Sequence, residues 1–269
     1  MTSDEGGDTQ YHLEVSAGQV APSVLLPGDP ERLDVIAEHW DEANEIASHR
    51  EYRTMTGEVN DVQISASSTG IGSPSASIAV EELASVGAET FIRVGSCGAI
   101  QPEVEIGDLV ITTGAVRQEG TSDEYVRQDY PAVADYEVVT ALVWAAESLD
   151  LDYHVGVTMS ADSFYAGQAR DGFDGFEAAG ASERLEELRR ANVLNIEMEA
   201  SAILTLTNLF GLRGGAICTV FADRNSGEFR PVGEARAAAT ATKAVELLAA
   251  MDEATSATGS HRFHPGLPI

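Results

Sequence analysis

Short apolar segments closed by glycine or proline turns alternate with apolar-striped helical segments along almost the whole chain. This alternation constrains the fold more than any single residue does, because strands buried on both faces need helices to cover them. Val24-Leu25-Leu26 is an apolar run stopped by Pro27-Gly28-Asp29-Pro30. Asp29 is placed to cap a helix with Pro30 at its first position, and Leu33, Ile36 and Ala37 mark its apolar face. Val62 to Ser67 alternates as a strand does. A glycine turn over Ser68 to Ser73 follows, then a helix from Pro74 to Val86 with Gly87 as its stop. Thr90 to Val94 reads as an apolar strand ended by a Gly95-Ser96-Cys97-Gly98 turn. Further strands are expected at Leu109 to Thr113, Val155 to Met159, Val193 to Ile196 and Gly215 to Phe221. Helices are expected at Glu137 to Ser148, Glu183 to Ala191, Met198 to Leu209 and Pro231 to Met251.

The pattern predicts an α/β protein, a single-domain α/β/α sandwich around a mixed and mostly parallel central sheet. No linker, composition shift or internal repeat divides it. The folded domain is expected to span residues 12–251. The flanking tails would be an acidic one at 1–11 and a mobile Ser/Gly/Pro/His-rich one at 252–269.

The chain carries 44 acidic and 16 basic side chains, a formal net charge of −28. That surface repels nucleic acid and anionic lipid, so neither is an expected partner. Lys243 is the sole lysine. Acidic excess with scarce lysine points to a halophilic protein, since at 1 M salt the Debye length is only about 3 Å and self-repulsion is screened. No apolar run is long enough to span a membrane, and the polar N-terminus is unlike a signal peptide. Two cysteines, Cys97 and Cys218, make neither a disulfide framework nor a zinc site, so a cytoplasmic location is expected.

The familiar phosphate-binding loops are absent from the sequence. What stands out is arginine in costly places. Arg93 interrupts an apolar strand, and Arg32 follows the Pro-Gly-Asp-Pro turn. An arginine at a strand's C-terminal end, beside glycine N–H groups and the Ser96 hydroxyl, makes an anion site, with Gly28 allowing close backbone approach. An internal pair with a carboxylate is the alternative for Arg93. Glu197-Met198-Glu199 sets two carboxylates at a strand-to-helix switch, suited to vicinal hydroxyls or simply to the helix dipole. Phe164, Gln168 and Arg170 fall within seven residues, an aromatic face beside groups able to read the edge of a planar base.

Taken in this order, these stretches resemble the nucleoside phosphorylase superfamily, and within it the uridine phosphorylase branch. The resemblance runs from about His12 to Ala249. It rests on Leu26-Pro27-Gly28-Asp29-Pro30-Glu31-Arg32, Ala47-Ser48-His49-Arg50-Glu51-Tyr52, Ser68 to Ser75, Ser77 to Leu83, Arg93 to Pro102, Phe164 to Arg170 and Glu197 to Glu199. It implies phosphorolysis, in which nucleoside and inorganic phosphate yield base and ribose 1-phosphate without an organic cofactor. By position, Gly28, Arg32, Arg93 and Ser96 would hold phosphate, with Arg50 from a neighbouring subunit. Glu197, Met198 and Glu199 would hold ribose, with the neighbour's His12 near the 5′-hydroxyl. Phe164, Gln168, Arg170 and Arg224 would receive the base. Glu51, Ile71 and Ser75 match a potassium site between subunits. The implied assembly is a homohexamer built from dimers that share active sites.

The implied substrate is uridine, with deoxyuridine and thymidine as further candidates. Phosphate fixed below the anomeric carbon captures an oxocarbenium-like centre, and Gln168 and Arg170 stabilise the departing uracil anion. One departure from the family pattern opens an alternative. Asp223 beside Arg224 would suit a purine (guanosine or inosine) phosphorylase that protonates its leaving base, unless Asp223 merely pairs with Arg224. A non-catalytic nucleoside-binding relative would have lost a ribose or phosphate residue, and none is missing.

Overall fold

The computed structural model describes residues 9–268, so most of the expected acidic N-terminal tail lies outside the described residues. The chain runs β1 (Ser23–Leu26), α1 (Arg32–Ala37), β2 (Glu42–His49), β3 (Tyr52–Val59), β4 (Val62–Ser67), α2 (Ser73–Ser85) and β5 (Thr90–Ala99). It continues through β6 (Leu109–Gln118), β7 (Ala132–Val133), α3 (Tyr136–Ser148), β8 (Tyr153–Ala161), α4 (Ala181–Arg190), β9 (Val193–Glu197), α5 (Ala200–Phe210), β10 (Arg213–Asp223) and α6 (Glu234–Thr258).

The strands form one ten-stranded sheet. It is mixed rather than mostly parallel. β1 runs parallel to β4 and β5, β10 to β5, and β8 to β6 and β9. β3 is antiparallel to β2 and β4, β10 to β6, and β5 to β9. Because β5 bonds to both β10 and β9, the path through β6 and β8 returns to its start and the sheet curls shut on one side. Closure removes two edges that would otherwise expose unpaired backbone groups.

Strand alternation divides the core into two layers. Leu25, Ile92 and Val94 face a cluster with Val138, Leu142, Val245 and Leu248 from α3 and α6. Val24, Leu26 and Phe91 face the other cluster, with Val80 and Leu83 of α2 and Ile203 and Leu206 of α5. With side chains alternating at period two, Arg93 must share the face of Phe91. It therefore points toward the α2 and α5 side.

The structure revises several local expectations. The Gly95 to Gly98 segment is not a turn: β5 continues through it to Ala99, paired with β10 along its length. Glycine at 95 serves side-chain packing there, since a Cβ would lie 2.7 Å from Arg93 Nη2 and 2.9 Å from Cys218 Sγ. The hairpin of β2 and β3 had no expectation over it, because β2 (EANEIASH) is a mostly exposed edge strand with little apolar alternation. The helix expected at Pro30 starts at Arg32, and Asp29 caps only the turn before it, accepting from the Glu31 amide at 2.9 Å. Helix α6 begins at Glu234, not Pro231, and runs to Thr258 rather than Met251. Beyond it Phe263 is buried, and its amide donates to Glu137 at 2.9 Å.

Candidate active site

Loops and strand ends at one edge of the closed part of the sheet surround a cleft of about 740 Å³. Among the residues expected to form the site, Gly28, Arg32, Arg93, Ser96, Phe164, Gln168, Arg170, Glu197, Met198 and Glu199 all line it. So do Glu51, Ile71 and Ser75. The first wall is the β1–α1 turn laid against the turn after β4. The Thr69 amide donates to the Pro27 carbonyl at 2.9 Å, and a Cβ at position 28 would stand 3.2 Å from the Gly70 carbonyl oxygen. Glycine at 28 thus keeps the floor narrow and its backbone open to an anion.

Arg93 is buried between two carboxylates. Its Nε donates to Glu197 Oε2 at 2.7 Å, and its Nη2 lies 2.5 Å from Glu199 Oε2. Nη1 has no hydrogen-bond partner among the described residues. Burial works against the guanidinium charge, but Glu199 and Glu197 outweigh it and hold its pKa above the ordinary value. Burial pushes Glu199 up, against the lowering by Arg93. The internal arginine–carboxylate pair weighed from the sequence therefore forms, and Arg93 lines the cleft as well.

The two glutamates differ. Glu197 Oε2 also accepts the amides of Glu199 and Ala200, each at 2.8 Å, so it caps the start of α5. Its other oxygen takes the Ser160 hydroxyl. With four donors on its two oxygens and a side chain fully shut from solvent, Glu197 is the anchor of the cluster. Glu199 accepts the Gly72 amide at 2.5 Å through Oε1 and borders the cleft. Of the pair, Glu199 is the better placed to meet a sugar hydroxyl.

The third wall is the loop after β8. Gln168 is buried in a short 3-10 turn, Ala166–Gln168. The Arg170 guanidinium carbon stands 4.3 Å from the Phe164 ring centroid, a cation–π contact. Burial and the neighbouring Arg224 charge bring the Arg170 pKa down to about 10. It remains a cation at neutral pH.

Three expected residues do not line this cleft. Arg224 braces the loop from behind, donating through Nη2 to the carbonyls of Gln168 (2.9 Å) and Ala169 (3.1 Å). His12 and Arg50 lie together elsewhere on the surface. Tyr11 sits between them, edge-on to His12 at 4.8 Å and 6.0 Å from the Arg50 guanidinium carbon. His12 Nδ1 is 2.6 Å from Glu82 Oε1, and its carbonyl meets His49 Nδ1 at 2.9 Å. Asp223 pairs with no arginine among the described residues. Its oxygens accept the amides of Asn225 (2.8 Å) and Ser226 (3.2 Å), capping its own turn. Burial pushes its pKa up, but the bonds from Ser226 and Asn225 together prevail and keep it below the ordinary 3.8.

Phe221 and Phe229 also line the cleft and were missed. Phe229 lies in a Gly/Ser/Pro-rich segment that reads as loop, and its isolated bridge to Ala222 brings it in. A lone aromatic in such a loop was the available signal.

Within this geometry the comparisons with known proteins fall into place. The profile described as the phosphorylase superfamily matches residues 22–256, and the chain belongs to that family. A uridine phosphorylase of Thermococcus kodakarensis is 56% identical over 258 residues, covering 96% of this chain and 93% of that protein. A guanosine phosphorylase of Halorubrum lacusprofundi is 45% identical over 211 residues, 78% of this chain and 82% of that protein. The uridine phosphorylase of Escherichia coli is 43% identical over 221 residues, covering 81% and 87%. No helix among the described residues is long and apolar enough to cross a membrane.

Proposed function

We propose that this chain catalyses the phosphorolysis of uridine, giving uracil and ribose 1-phosphate, with deoxyuridine and thymidine as secondary substrates. The observation that carries this reading is the joining, in one cleft, of Arg32, Arg93 and Ser96 with Glu199 and with Phe164, Gln168 and Arg170. Phosphate would meet the first set and ribose hydroxyls Glu199. Uracil would pack on Phe164, its edge facing Gln168 and Arg170. As the glycosidic bond lengthens, positive charge builds on the sugar and negative charge on the base. The phosphate answers the first and the Arg170 cation the second. A uracil anion is a tolerable leaving group, so no carboxylic acid is needed. The high identity to a uridine phosphorylase over nearly the whole chain supports the same substrate.

The reading includes an assembly of dimers, up to a hexamer, with sites shared between subunits in the cytoplasm of a halophile. The grouping of His12 and Arg50 outside their own cleft supports a role for them in a neighbour's. A potassium ion would fit between subunits. Glu51, Ile71 and Ser75 offer carboxylate, carbonyl and hydroxyl oxygens, donors suited to a hard cation. The Ser75 hydroxyl donates to the Ile71 carbonyl at 3.2 Å, holding two of them together.

Guanosine is the second reading, favoured by the Halorubrum relative. Against it, the ionised Asp223 is spent on its own turn. The test is incubation in molar KCl with uridine, thymidine, inosine or guanosine, with and without phosphate. Phosphate-dependent release of uracil is expected. Phosphate-dependent release of guanine or hypoxanthine in its place would overturn the pyrimidine assignment.

A further inference from the structure

Arg32 reaches the cleft already held by an anion. Its Nε is ion-paired with Glu234 Oε1, while Nη1 donates to the Val94 carbonyl at 3.2 Å. Glu234 is the first residue of α6, next to Gly233, whose φ is +80°. The segment leading to that glycine carries Phe229 into the cleft. The two ends of the pair differ in exposure: the Arg32 side chain is 10% exposed and that of Glu234 is 37% exposed. The arginine is also held by the Val94 carbonyl, and the carboxylate is the end of the pair that faces solvent.

We propose that Glu234 is a latch on the phosphate subsite, a carboxylate that occupies Arg32 until phosphate displaces it. The inference rests on the assignment of Arg32 to phosphate made above. Phosphate and a carboxylate are like charges competing for one guanidinium, and side by side they repel. Phosphate binding therefore includes breaking the Arg32–Glu234 pair, and Glu234 sets the phosphate affinity. Once released, Glu234 keeps a favourable place at the N-terminus of α6.

The test is calorimetric titration of inorganic phosphate into wild type, Glu234→Gln and Glu234→Asp at constant ionic strength. Both variants are expected to bind phosphate roughly two- to fivefold more tightly, the scale of a partly exposed ion pair. Aspartate keeps the charge at the helix start but is one methylene short of Arg32, so a weakened helix in the glutamine variant does not decide the result. In steady state the phosphate KM should fall while the uridine KM changes less than about twofold. Equal or weaker phosphate binding in the variants would show that Glu234 merely positions Arg32, and the latch would be wrong. No phosphate binding to any of the three proteins overturns the latch together with the phosphate site. Tighter binding in the variants without uracil release in the assay above upholds the latch and refutes the uridine assignment.

Discussion

Arg93 Nη2 stands 2.5 Å from Glu199 Oε2, with only 5% of each side chain exposed. Glu197 binds the same guanidinium through Nε, so one cation bridges two buried carboxylates. Removing one partner of a buried ion pair costs about 3–5 kcal/mol, because the other charge is stranded. Arg93→Met strands two. It is expected to lower the melting temperature by roughly 10 °C or more and to abolish uracil release. Differential scanning calorimetry alongside the phosphorolysis assay checks both; an unchanged melting point would contradict the burial argument.

Arg50 makes the opposite case. It is exposed, and among the described residues its guanidinium makes no hydrogen bond or ion pair, lying 6.0 Å from the Tyr11 ring. Arg50→Ala should melt as the wild type does yet lose more than about 100-fold in turnover, by analogy with other lost charge-stabilising donors. Mixing refolded Arg50→Ala with refolded Glu199→Gln should regain part of the activity, since a mixed pair of subunits contains one intact site. Failure of every mixture to regain activity counts against shared sites.

Asp223 tests the choice of base. Its pKa is depressed by its own turn, so its contribution to stability is complete above the unfolded value of 3.8 and is lost only as pH falls through the lower folded value. At neutral pH it has no proton to give. Asp223→Asn should therefore keep uridine turnover within about threefold and leave the shape of its pH–rate profile between pH 6 and 8 unchanged. A missing alkaline limb in the variant would assign Asp223 the acid role.

Phe164 packs on the Arg170 cation and is itself partly exposed to the cleft. Phe164→Ala removes both a stacking surface and a cation–π contact, each worth about 1 kcal/mol. The uridine KM should rise by roughly tenfold with a smaller change in the phosphate KM. Equal effects on both substrates would place Phe164 outside the base subsite.

Cys97 lines the cleft but is nearly buried, and burial raises its thiol pKa well above the ordinary value. Cys218 is buried as well. Neither should react with a chromogenic disulfide reagent in the native protein, and two thiols should titrate after unfolding. Rapid labelling of the native form would mean that the cleft floor opens.

Most elements were legible because their information is local. Apolar periodicity marks α2, α3 and α5 to within a few residues, and glycine or proline marks many of their ends. The cleft residues were legible as residue types out of place, an arginine in an apolar strand above all. Their partners were not. Glu197 stands 104 residues from Arg93, and Glu234 is 202 residues from Arg32. No spacing rule reaches that far.

The sequence by itself determined the order of elements, which strand faces are apolar, and that Arg93 shares the face of Phe91. These follow from steric and hydrophobic preferences that act within a few residues. Tertiary structure decided that β5 runs straight through its glycines, that the sheet closes, and that Glu197 and Glu199 share the Arg93 guanidinium at the cleft. It also turned Asp223 to its own loop and set His12 and Arg50 outside their own cleft. Each of these depends on which distant segment supplies a hydrogen-bond partner or fills a space, and chain closure brings those segments together only in the folded state.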